Sequence, residues 1–189
     1  MAHGLIQSLE HSIITTLQYS KNEASPPRQL FLGLGTNLGE KVHNLSIAQD
    51  KIAEHIGVVT QASPIYTTDA WGIEDQDRFL NQVLQVETTQ DPFEVLRHAL
   101  AIEKDMGRKR IQKWGERLID IDLLFYDDVC IERSQLIIPH PFIAERRFVL
   151  VPMLDLAPEW LHPIHQKTIA QLLESCPDPL KVERFLGQE

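Results

Sequence analysis

The chain has 189 residues, a net charge of −9 and a pI near 5.3, with 43% hydrophobic residues. That supplies one good core, leaves two full domains cramped, and disfavours nucleic acid and anionic membranes as partners. Cys130 and Cys176 lie far apart without a CxxC or CxxH neighbour, no apolar run approaches a membrane span, and the N-terminus lacks a signal-peptide pattern; these features predict a cytosolic protein without structural zinc.

Residues 1–29 stand apart as an N-terminal extension. Leu5, Ile6, Leu9, Ile13 and Leu17 recur at helical spacing, and residues 21–28 (KNEASPPR) read as a linker with two prolines. A short amphipathic helix on a tether is expected, open to docking, self-association or disorder in isolation. The domain proper is expected over residues 30–189. Its first strand spans residues 30–35 and runs into GTNLGE. A helix follows over residues 41–56, with Leu45, Ala48, Ile52 and Ile56 on one face. Residues 58–67 read as a strand, and FLNQVLQVET at 79–88 alternates as a half-buried strand does. Asp91, Pro92 and Glu94 form an N-cap, a first-turn proline and a capping-box acid, opening a helix that ends at Gly107. LIDIDLLF at 118–125 is the strongest strand signal. The order βαββαβ, followed by helical material from 143 to 176, predicts an α+β, ferredoxin-like sandwich with helices on one face of a largely antiparallel sheet and additional C-terminal helices.

The most informative stretch lies between the second helix and the last of these strands. Arg108, Lys109, Arg110, Lys113 and Arg117 stand against a single acid, Glu116, a local charge of +4 that leaves −13 for the rest of the chain. Trp114 lies among them, and Asp120 and Asp122 follow at once. In a strand these two carboxylates share a face, with Cα atoms roughly 6–7 Å apart. Carboxylate pairs with substrate phosphates suit Mg²⁺, and guanidinium groups fork onto phosphate oxygens. A solvated charged loop is the bland alternative. Gly33, Gly35 and Gly39 resemble a dinucleotide fingerprint, but Leu38 holds the third glycine position and no P-loop is present, so a tight strand-to-helix turn is the better reading. Pro139, His140, Arg146 and Phe148 form a second basic and aromatic cluster. Phe79 and Asn81, taken alone, read as core and turn.

In chain order, GTNLGE, YTTDAWG, DQDRFLNQV, IEKDMGRKR, WGERLIDIDLLFY and IPHPFIAERRFVLVPM together resemble the 6-hydroxymethyl-7,8-dihydropterin pyrophosphokinases of folate biosynthesis, over roughly residues 30–173. The resemblance implies a diphosphotransferase that moves pyrophosphate from ATP to the pterin hydroxymethyl group and releases AMP. By that resemblance Asp120 and Asp122 hold two Mg²⁺ ions. Arg108, Arg110, Trp114 and Arg117 belong to a mobile loop that closes over ATP, with Arg108 and Arg117 catalytic. His140 and Arg146 meet the phosphates and Glu103 lies near the nucleotide. Phe79 and Phe148 sandwich the pterin, while Thr68 and Asn81 bond its edge. Glycine-flanked segments around Gly72 and Gly107 to Gly115 are expected to act as lids. The partners implied are small molecules, with no nucleic acid and no membrane, and the expected state is a monomer, with self-association through the extension open.

Several positions depart from the family pattern: Asp69, Ala70, Glu116, Gln135, Ile137, Phe142 and Ala144. They receive no functional assignment from sequence. Two rival classes stand beside the main reading. A glycosyltransferase also uses an Asp-x-Asp pair, but with a larger Rossmann-like chain. A ferredoxin-like nucleic-acid-binding module is the other, and the acidic charge and missing aromatic strand motif count against it.

Overall fold

The structure is a computed structural model and describes residues 26–69, 77–107 and 117–187. The expected N-terminal helix, most of its linker, and the residues around Gly72 lie outside those ranges. The first strand, β1 (Arg28–Thr36), starts two residues before Leu30 because Arg28 and Gln29 already pair with Thr88 and Glu87. It leads into helix α1 (Lys41–His55), and the long β4 (Phe79–Thr88) is followed by α2 (Pro92–Asp105). The cap read from sequence is present. Asp91 Oδ1 accepts the N–H groups of Phe93 and Glu94, and Glu94 Oε2 accepts that of Asp91.

The strand expected over 58–67 is divided. β2 (Val58–Ala62) and β3 (Tyr66–Thr68) both pair antiparallel with β4, at its C-terminal and N-terminal halves. The break falls at Pro64, which has no N–H to give to a ladder. Ser63 bridges the gap, its N–H donating to Val83 O and its Oγ accepting the Val83 N–H. β5 (Asp120–Tyr126) pairs antiparallel with β1. Beyond it come a hairpin of β6 (Ile131–Arg133) and β7 (Leu136–Ile138), a cis Ile138–Pro139 peptide, a 3₁₀ turn (Ile143–Glu145), α3 (Arg147–Leu156), α4 (Ile169–Glu174) and β8 (Val182–Arg184). The sheet runs β5-β1-β4-β3-β8, with β2 beside β4.

Strand alternation sorts the side chains into two separate cores. Leu30, Leu32 and Leu34 of β1 and Leu80 and Leu84 of β4 pack under α1 and α2, against Leu45, Ala48, Ile52, Val95, Ala99 and Ile102. Phe31, Val83, Leu124 and Phe125 meet Val149, Leu150 and Met153 of α3 and Ile169 and Leu172 of α4 on the other face, the adjacent Leu124 and Phe125 sharing it because the β1–β5 register shifts there. Helices therefore cover both faces, where sequence periodicity led to one. The C-terminal helices are apolar enough to need a surface, and the α1/α2 face is already filled. Trp160 closes this second core edge-on to Phe31 and Phe125, at 4.9 and 6.0 Å between ring centroids. Tyr66 ties α3 to the sheet. Its hydroxyl donates to Asp155 at 2.6 Å, and burial together with that carboxylate pushes its pKa up to about 12, so the proton stays.

Candidate active site

The second core covers only part of its sheet face. Beside it a cavity of about 310 Å³ opens over the middle strands, at the small end of the range for ligand sites. Its floor is β1, where Gly33 and Gly35 present backbone instead of side chains. In register, Gly33 lies between Asp122 and Val83, and Gly35 between Asp120 and Asn81. The paired carboxylates and the polar edge of β4 thus flank the same glycine-bearing stretch of β1. The glycines read from sequence as part of a turn include the floor of the site.

Nine residues singled out by sequence line this one cavity. On one side of β1 stand Phe79 and Asn81 of β4 and Thr68 of β3, and Phe148 of α3 also lines the cavity, its ring centroid 5.6 Å from the Arg146 guanidinium carbon. Asn81 Nδ2 donates to Thr68 Oγ1 at 3.0 Å, and Asn81 Oδ1 sits over Gly35. On the other side of β1 stand Asp120 and Asp122 of β5, and Arg117, Arg146 and His140 line the cavity with them. Arg117 NH1 forms a short ion pair with Asp120, and Arg146 NH1 lies 3.5 Å from Asp122. Asn37 holds Arg117 from both sides: its Oδ1 accepts the Arg117 N–H at 2.9 Å and its own N–H donates to the Arg117 carbonyl at 3.2 Å. The GTN turn therefore carries a positioning task as well as a change of direction.

His140 is fixed by its backbone N–H to Leu124 O and by Nδ1, which accepts the Phe142 N–H at 3.3 Å. Burial, with the Arg146 charge beside it, pushes its pKa down to about 4. The ring is neutral at pH 7. With Nδ1 used as acceptor, its proton sits on Nε2 as a donor.

Glu103 is not in the cavity. It is 3% exposed beneath β5, and its carboxylate accepts the Ile121 N–H at 2.8 Å, the peptide group between the two aspartates. Arg108, Arg110 and Trp114 lie outside the described residues. Asp69 is paired with Arg78 at 2.9 Å, and Arg78 also reaches Glu183 of β8 at 3.0 Å. Sequence reasoning missed the C-terminal wall. Asp178 is 6% exposed and accepts the N–H of Arg147, first residue of α3, and that of Leu180, which lines the cavity. Only a DPL turn signal marks it in the sequence, and such turns are common.

The chain is an α+β domain whose cavity gathers paired carboxylates, two guanidinium groups, a neutral histidine and two phenylalanine rings, a set suited to a small-molecule phosphoryl-transfer enzyme. Residues 31–158 match the profile of 7,8-dihydro-6-hydroxymethylpterin-pyrophosphokinase (HPPK), and the chain belongs to that family. It is 39% identical over 142 residues to the 2-amino-4-hydroxy-6-hydroxymethyldihydropteridine pyrophosphokinase of Aquifex aeolicus, covering 75% of this chain and 88% of that one. With the Synechocystis sp. enzyme of the same name it shares 41% over 144 residues, 76% of this chain and 73% of that one. In fold it is similar to a Plasmodium falciparum HPPK-DHPS crystal structure, with a TM-score of 0.62 and 19% identity, over 78% of this chain. It spans 43% of that longer chain. The reaction is pyrophosphoryl transfer from ATP to hydroxymethyldihydropterin in folate synthesis.

Proposed function

We propose that this transfer takes place within the single cavity, with the pterin at the Phe79, Asn81, Thr68 and Phe148 end and the ATP phosphates at the aspartate end. The observation that carries this reading is the cavity's polarity. Phe79 and an amide bonded to Thr68 stand on the β4 side of β1 and the paired carboxylates on its β5 side, while Phe148 and the Arg146 guanidinium, 5.6 Å apart, line the same cavity with Arg117 and a neutral histidine. Phe79 and Phe148 offer ring faces to a flat heterocycle. With one N–H of Asn81 Nδ2 given to Thr68, the pair can still offer a ligand's edge the Asn81 Oδ1, its second N–H and the Thr68 hydroxyl proton.

The donor set suits Mg²⁺. Among the described residues no three metal-ligating side chains gather, but this ion commonly takes one or two carboxylates and completes its shell with waters and substrate phosphates. Asp120 and Asp122 would hold it, and two carboxylates on one face give each of two ions a protein oxygen. Bound there, Mg²⁺ would neutralise phosphoryl oxygens and lower the pKa of the attacking hydroxyl. The protein's own part is positioning and charge. Arg117 and Arg146 stand where forked hydrogen bonds can pass from carboxylate to phosphate oxygens, and His140 donates from Nε2 without adding a charge. The hydroxymethyl oxygen attacks the β-phosphorus in line and AMP leaves, with no side-chain nucleophile.

The strand order β5-β1-β4-β2, with a helix after β1 and another after β4, supports a ferredoxin-like reading of the fold. A cavity completed by one chain supports a monomer as the working unit. Two unpaired cysteines, and no described helix long and apolar enough to cross a membrane, support a cytosolic setting. Purified protein given ATP, Mg²⁺ and 6-hydroxymethyl-7,8-dihydropterin should release AMP and pyrophosphorylated pterin in equal amounts, and should stop on chelation of the metal. AMP formed equally well without pterin, or ADP as the product, would overturn the reading.

A further inference from the structure

Phe142 is 48% exposed although it is a large apolar residue. It is not idle on the surface. The Arg146 guanidinium carbon lies 5.2 Å from the centroid of the Phe142 ring and 5.6 Å from that of Phe148. Both distances are within the range in which a cation is attracted to an aromatic face. The same guanidinium reaches Asp122 at 3.5 Å, a distance at the outer limit of a hydrogen bond. The guanidinium is therefore held by two ring faces as well as by an ion pair to the carboxylate. Phe142 also touches the second anion-facing group, through its backbone N–H to His140 Nδ1 and a ring-to-ring distance of 5.9 Å.

We propose that Phe142 is a positioning residue for the transfer reaction: with Phe148, its ring holds the Arg146 guanidinium at the phosphate end of the cavity. A free arginine side chain samples many rotamers, and a ring on it removes most of that freedom before the nucleotide arrives. The proposal rests on the reading that Arg146 meets the ATP phosphates. It gives Phe142 a task that an aliphatic group of similar size cannot perform, since the attraction needs the ring's electron-rich face.

The test compares Phe142→Leu, Phe142→Ala and Phe142→Tyr with the wild type and with Arg146→Ala, in the full chain. Backbone contacts to His140 persist in every Phe142 variant, so the ring alone is removed. The Leu and Ala variants should bind a non-hydrolysable ATP analogue with Mg²⁺ about two- to five-fold more weakly, with KM for ATP raised in step and kcat and melting temperature little changed. Tyr should restore wild-type affinity. The Arg146 Nε–H resonance in the free protein, shifted by ring currents, should move in the Leu and Ala variants and stay in the Tyr variant. Wild-type affinity in the Leu variant, or an unmoved Arg146 resonance, would overturn the proposal. If instead Arg146→Ala binds the analogue normally, the placement of Arg146 at the phosphates is what fails, and the resonance still decides whether Phe142 holds it.

Discussion

The two faces of the central sheet are made by the same strands and yet behave as different materials. Under α1 and α2 the face is closed and mainly aliphatic; on the other side part is sealed by α3, α4 and an aromatic cluster, and part is left open as the cavity. Along β4, Leu80 and Leu84 face one way and Phe79, Asn81 and Val83 the other. Neighbouring residues on one strand thus serve stability and chemistry separately. Substitutions should segregate in the same manner, and four of them put that division to the test.

Asp122→Asn has the largest expected effect. It keeps the shape and removes a charge from the open face, so kcat should fall on the order of 10³-fold while urea and thermal melts stay at wild-type values. A substantial drop in stability would show that the carboxylate also supports the fold. Leu84→Ala probes the closed face. It is fully buried, and its truncation should cost about 3 kcal/mol of unfolding free energy, with KM values for the surviving folded enzyme unchanged. Altered pterin KM there would mean that the two faces are mechanically coupled.

His162 tests whether the sealed part of the open face behaves as a true core. It is 3% exposed, its Nδ1 accepts the N–H groups of Ile164 and His165, and burial, with His165 adding to it, pushes its pKa down to about 4. The unfolded chain binds a proton near pH 6.5 and the folded one only near 4, so its contribution is complete above 6.5 and is lost as the pH falls toward 4. Between pH 7 and pH 5 this histidine should remove up to about 2 kcal/mol of stability. His162→Asn keeps an acceptor for the two N–H groups, and denaturant melts at both pH values should show a shallower loss than wild type. An identical pH slope would place the sensitivity elsewhere. Asp178→Ala, at the border between sealed and open parts, should cost about 1 kcal/mol as a lost helix cap and also raise KM for the pterin modestly, because it seats both α3 and Leu180. A stability loss without any change in KM would confine Asp178 to the sealed side.

Much of this arrangement can be read from the chain, because it is local. The alternation in FLNQVLQVET, the Asp91 and Glu94 capping box and the i, i+2 spacing of Asp120 and Asp122 act within a few residues, and each appears in the structure at its expected place. The family motifs assembled nine distant residues into one cavity that periodicity alone could not gather. What stayed illegible is set by long-range contact. Ser63 closes the break between β2 and β3 through Val83, twenty residues on; Asp178 caps a helix that starts thirty-one residues earlier; and Glu103 braces the peptide between the aspartates from below. Three-residue strands such as β3 and β8 carry too few side chains for a period to show.

Leu118 has a consequence for engineering. Its two terminal methyls lie against Gly39 and Gly107, where a Cβ would stand 3.6 and 3.3 Å away, and both glycines hold positive φ, +66° and +96°. With Asn37 clasping Arg117, the residues on either side of positions 108–116 are gripped by the same frame. A side chain introduced at either glycine would strain the positive-φ backbone, and at Gly107 it would also press on Leu118, so an exchange at one of these small positions would loosen the anchor that Gly107 and Arg117 share with the body of the domain.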